Sequence, residues 1–119
     1  MNIKKIVYND YENFNGESFL ELEQALDLFQ KLNWQKGTFL YFDVNPTETF
    51  QIFYQEEGLY LIEIANDSDD MIYLQKFAKE EEIQNLIQYY FEHQVVLNDG
   101  FYPVPIETKT LSDVIRETN

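Results

Sequence analysis

The stretch from Thr38 to Phe77 constrains this chain most. Four runs rich in β-branched and aromatic residues follow one another there: TFLYFDV (38–44), TFQIFY (49–54), LYLIEI (59–64) and MIYLQKF (71–77). TFQIFY alternates Phe50, Ile52 and Tyr54 with Thr49, Gln51 and Phe53, and LYLIEI places Tyr60, Ile62 and Ile64 on one side. Such alternation marks a strand with two different faces. Between the runs stand Asn45-Pro46, Gln55-Glu56-Glu57-Gly58 and the polar turn 66–70. These connections are too short for the crossover a parallel pair needs, so the runs are expected to form an antiparallel meander.

Segments of helical period flank this block. Ser18-Phe19-Leu20-Glu21 has the form of a capping box, with Ser18 as cap and Glu21 at the third helical position. Leu22, Ala25, Phe29 and Leu32 then share one helical face, Leu26 widens it, and Lys36-Gly37 closes the segment. The pattern predicts a helix over 18–33. A second is predicted over 79–93, where Ile83, Leu86, Ile87, Tyr90 and Phe91 share a face. Glu80, Glu81 and Glu82 fill its first turn, where the helix dipole favours negative charge. TLSDVIRETN predicts a short C-terminal helix with Leu111, Val114 and Ile115 inward. IKKIVY (3–8) reads as a strand, residues 9–17 as a loop, and VVL (95–97) as a strand or loop.

Strands that run together rather than alternating with helices indicate an α+β fold. The expected architecture is an antiparallel four- to six-stranded sheet, with two main helices packed on one face and a short C-terminal helix. With 119 residues and no linker-like tract, residues 1–119 read as a single domain. Phe39, Tyr41, Phe53 and Tyr73 are more aromatics than one packed face needs. They form either an exposed binding face or the floor of a second layer made by the N-terminal loop and the C-terminal tail. The second layer is the simpler expectation.

Composition narrows the function by exclusion. Ten Phe, nine Tyr and one Trp are too many for a disordered chain. There is no cysteine, which excludes disulfides and thiolate metal sites. The N-terminus has no apolar stretch of signal-peptide length, and no apolar run approaches a membrane span. A cytoplasmic location is the simplest expectation. The formal charge is −14, from 22 acidic and 8 basic residues. That argues against direct nucleic-acid binding, which needs Lys and Arg on phosphates, and against anionic membranes. It either serves solubility alone or steers a basic protein partner.

No stretch identifies a reaction, and no catalytic residue, cofactor or metal ligand is assigned. His93, the sole histidine, sits at a predicted helix end, where an imidazolium suits the free carbonyls; no nucleophile motif accompanies it. An EF-hand started at Asp67 fails, with Met71 and Ile72 where a ligand and a glycine are required. Nothing singles out a glycosidase-type carboxylate pair. What remains is surface. In a meander the 45–48 and 66–70 turns share one end of the sheet, and the 55–58 turn and the start of helix 79–93 share the other, so both ends are acidic. The candidate partner-binding residues are Asp67, Asp69, Asp70, Glu80 and Glu81, with Asp99, Phe101 and Tyr102 from LNDGFYPVP (97–105). Asp99-Gly100 is a turn signal there, and Pro103 and Pro105 place the segment at a sheet edge. If Phe101 and Tyr102 are buried the segment is a core-closing strap; if Tyr102 stands in solvent beside Asp99 it is an anchor.

The chain resembles the small acidic immunity proteins of bacterial polymorphic toxin systems. The likeness lies in an N-terminal FLELEQALDLFQKL segment, the meander TFLYFDVNPTETFQIFYQEEGLYLIEI, and FYPVPIETKTLSDVIRE at the end. It rests on element order, size and acidity, properties that acidic phage-encoded inhibitors share, and it carries no site residues with it. The resemblance implies a non-enzymatic protein that binds and blocks a basic partner, a toxin, by occlusion. Two other classes stay open: a small enzyme or ligand-binding domain with a carboxylate and tyrosine pocket between sheet and helices, and an oligomerising module, a homodimer through the aromatic face.

Overall fold

A computed structural model describes residues 3–66 and 71–118. In chain order the elements are β1 (Lys4–Asn9), β2 (Asn15–Leu20), α1 (Leu22–Lys31), β3 (Phe39–Asn45), β4 (Glu48–Glu56), β5 (Leu59–Asn66), β6 (Ile72–Ala78), α2 (Glu80–His93), β7 (Tyr102–Pro105) and α3 (Leu111–Thr118). The strands form one sheet in the order β2-β1-β3-β4-β5-β6-β7, and every neighbouring pair is antiparallel. The fold is α+β as expected, and the block from β3 to β6 is the meander that its alternation and short turns require.

The sheet has seven strands rather than four to six. The sixth and seventh come from segments with little hydrophobic signal. NGESFL is not the start of a helix but the edge strand β2, exposed along most of its length. Ser18 does not cap α1; its hydroxyl meets the Tyr8 hydroxyl across the β1–β2 pair at 2.9 Å. The helix starts at the next S-x-x-E-like pattern, where the Gln24 side chain accepts the Glu21 backbone N–H at 2.9 Å. At its far end the Trp34 indole donates to the Phe29 carbonyl at 2.9 Å. VVL forms no strand: Val95 and Leu97 are exposed, and Val96 packs against the core.

α1 and α2 cover one face. Ala25, Leu28 and Phe29 from α1 and Ile83, Leu86, Ile87, Tyr90 and Phe91 from α2 share a core with Leu40, Phe42, Phe50, Ile52, Ile62 and Ile64 of the sheet. Phe42 and Phe50 stack at 4.3 Å, and Tyr90 meets both edge-on. Such ring contacts add about 0.5–1.5 kcal/mol each beyond burial of their area.

Of the expected second layer the structure shows the tail's part, over the β5–β6 side of the sheet; Phe39, Tyr41, Phe53 and Tyr73 on that face are half-buried. Val104 of β7 and Leu111 of α3 are 0 % and 3 % exposed, and α3 starts over the face that carries Leu61, Glu63, Gln75 and Phe77. The N-terminal loop does not join it. Residues 10–14 fold into a turn around the buried Asp10 carboxylate, whose Oδ1 accepts the backbone N–H groups of Glu12, Asn13 and Phe14. Its Oδ2 accepts the N–H of Asn33, and its carbonyl accepts Gln35 Nε2, so this one residue ties the β1–β2 turn to the α1–β3 loop. Gly37 in that loop has φ +96°, and a Cβ there would stand 3.3 Å from the Tyr11 ring.

Candidate functional site

Glu80 and Glu81 are exposed in the first turn of α2. They lie at the same end of the sheet as the Glu56-Glu57-Gly58 turn, because Tyr60 pairs with both Tyr54 and Ala78. Asp67, Asp69 and Asp70 lie outside the described residues. Glu80 accepts a hydrogen bond from Gln30 of α1. Glu82, one residue beyond the candidate pair, holds Lys76 at 3.0 Å. Lys76 also reaches the Asp99 carbonyl at 3.5 Å and lies 5.9 Å from the centre of the Phe101 ring.

The structure thus gathers Glu82, Asp99 and Phe101 around one ammonium. A groove of about 200 Å³ opens beside it, also lined by Ile62, Leu86 and Leu97. The turn that places Asp99 closes through the Phe101 N–H on the Asn98 carbonyl, with Gly100 at φ +80°. Neither aromatic of LNDGFYPVP is displayed. Phe101 is half-buried against the main core, and Tyr102 is half-buried opposite Gln75 on the other face. With both rings half-buried, the segment is neither a fully buried strap nor an exposed anchor.

A second site lies on the α3 side and was not legible in advance. On that face Leu61 pairs with Phe77, and Glu63 pairs with Gln75. Together with Gln55, Ile106 and residues 109–112 they line an open cleft of about 410 Å³. Gln75, 7 % exposed, donates from Nε2 to Glu63 Oε2 at 2.7 Å. Burial pushes the Glu63 carboxyl above its ordinary range, and the Gln75 hydrogen bond only partly opposes this. Lys109 on the cleft wall is held by Glu117 at 2.6 Å. In sequence Glu63 is one acid among 22, in a strand position that normally faces water. The available signal was that its face-mates Leu59, Leu61 and Ala65 are apolar, and that the apolar stripe of α3 needed a place to dock.

The remaining polar clusters are small. Tyr41 donates to Asp43 at 2.9 Å, and burial, then Asp43, raises the phenol's pKa. Lys5 bridges Glu17 and Asp43 at 3.5 and 4.0 Å. His93 ends α2, exposed, with its ring 4.2 Å from that of Tyr89 and Glu92 3.9 Å away. Among the described residues no group of three or more His, Cys, Asp or Glu is placed to hold a metal ion, and no helix is long and apolar enough to cross a membrane. Comparison of the chain with family models, curated proteins and solved structures gives no match.

Proposed function

We propose that this is a non-enzymatic acidic binding protein that captures a basic protein and blocks it by occlusion, as an immunity protein blocks its toxin. One observation carries the reading. Of eight basic residues, five (Lys5, Lys31, Lys76, Lys109 and Arg116) stand in ion pairs with carboxylates among the described residues. Lys4 lies over the Tyr90 ring at 5.3 Å. Most of the cations are therefore engaged within the fold, and an approaching partner meets mainly the excess carboxylate. A field of that sign speeds encounter with a basic surface and repels phosphate polymers and anionic lipid.

The groove beside Lys76 and the cleft beneath α3 supply apolar ground next to these carboxylates, the combination of anchor and steering that protein interfaces use. The test is co-purification with the product of the neighbouring gene, followed by stopped-flow association over a salt series. The association rate is expected to fall about tenfold or more from low to high salt. Failure to bind any basic protein, or a rate indifferent to salt, overturns the reading.

A further inference from the structure

We propose that the cleft between β5, β6 and the start of α3 seats one arginine side chain of the basic partner, with Glu63 as its counter-ion. The inference rests on the binding function proposed above and gives it a location. Glu63 stands in mid-strand with Leu61 and Phe77 beside it and with Ile106 and Leu111 on the facing wall. Among the described residues its hydrogen-bond partner is the neutral Gln75 amide, and no cation pairs with it. Lys109, the cation nearest to that task by position on the wall, is drawn to Glu117. A half-buried carboxylate without a counter-ion gains more from an incoming cation than any of the exposed ones does, because less water screens the pair.

The walls select the form of that cation. A guanidinium is planar, forks a carboxylate with two N–H groups and lies flat on an aromatic ring, here Phe77. Its alkyl stem suits Leu61, Ile106 and Leu111. A lysine ammonium has no flat face to lay on Phe77. The cleft volume of about 410 Å³ is near the small end of ligand sites, which run from about 300 to 1,000 Å³. That suits one side chain entering end-on.

Amide chemical shifts of the labelled protein, titrated with N-acetyl-arginine amide and with its neutral citrulline counterpart, test the proposal. Saturable shifts confined to Leu61, Glu63, Gln75, Phe77, Leu111 and Ser112 are expected with arginine, and none with citrulline. Glu63→Gln, nearly isosteric, should weaken binding about tenfold or more through loss of a charge-assisted hydrogen bond. Phe77→Leu keeps the charge and removes the ring, and should weaken it about threefold. Shifts scattered over Glu80 to Glu82 and unchanged by Glu63→Gln overturn the cleft while leaving an acidic binder standing. Binding of the arginine amide in the cleft, in a protein that captures no basic protein, supports the cleft and overturns the partner reading.

Discussion

Asp10 is fully buried, yet four backbone N–H groups converge on its carboxylate. Burial alone would raise its pKa; those four donors outweigh burial and hold the carboxyl well below the usual range. Glu63 is the reverse case, where burial wins over one amide hydrogen bond and raises the carboxyl above its ordinary 4.5. The two therefore act on stability with opposite sign. A depressed carboxyl contributes stability that is complete above its unfolded value, 3.8 for Asp10, and is lost as pH falls through the folded value. Asp10→Ala should lower the melting temperature at pH 7 by on the order of 10 °C, and Asp10→Asn should flatten the acid limb of a urea-midpoint profile. A raised carboxyl contributes stability that is complete below its unfolded value and is lost as pH rises through the folded one. Glu63→Gln should therefore raise the melting temperature by a few °C at pH 7, and the gain should vanish near pH 4. A variant that melts lower than the parent at pH 7 would show that the ionised Glu63 stabilises the fold. Neither role could be read from the sequence, because NDYENFN is an ordinary polar loop and its burial depends on residues 33–35 folding back over it.

The strands from Phe39 to Ala78 were legible because each carries both faces of a sheet in its alternation, and α2 because its apolar stripe changes period. β2 was not, for a physical reason: an edge strand with most positions in solvent has no hydrophobic alternation, and S-x-x-E occurs in strands as well as at helix starts. A double-mutant cycle separates the two assignments of Ser18. If Ser18 lies in β2, Tyr8→Phe and Ser18→Ala should couple by about 0.5–1 kcal/mol in urea unfolding. Zero coupling, with Ser18→Ala alone costing what a lost helix cap costs, would return Ser18 to α1. Gln24→Ala should cost about 0.5–1 kcal/mol by removing the acceptor that the Glu21 N–H uses in the capping box. β7 was half legible: its two prolines pointed to an edge, and the structure gives them a purpose. The Ile106 N–H donates inward to the Met71 carbonyl, so the alternate positions 103 and 105 face outward. Proline at both removes the donors a further strand would need. β2, at the other margin, has no proline and carries Phe19 at 68 % exposure.

At the scale of the whole molecule the class and the charge were legible, while the assignment of α3 to the second face was not, since nothing in its own stripe says which face of the sheet it meets. Charge and edges then bear on association together. An open β2 edge would permit pairing between copies, but two chains of charge −14 repel each other. Light scattering should return the monomer mass at low salt, and a dimer there would favour the oligomerising module instead. Salt provides the sharper test, because attraction and repulsion at the surface respond to it oppositely. Screening weakens ion pairs such as Lys31–Asp27 and Lys5–Glu17, both of them exposed. Pairs of that kind contribute about 0–1 kcal/mol each, so little is lost. Screening also relieves repulsion among carboxylates that folding brings close together, and at a net charge of −14 that relief is expected to outweigh the lost attraction. The melting temperature should therefore rise by a few °C between about 10 mM and about 500 mM NaCl, while association with a basic partner slows over the same range. A melting temperature that falls with salt would mean that the ion pairs outweigh the repulsion, and the excess of free carboxylate would no longer support steering.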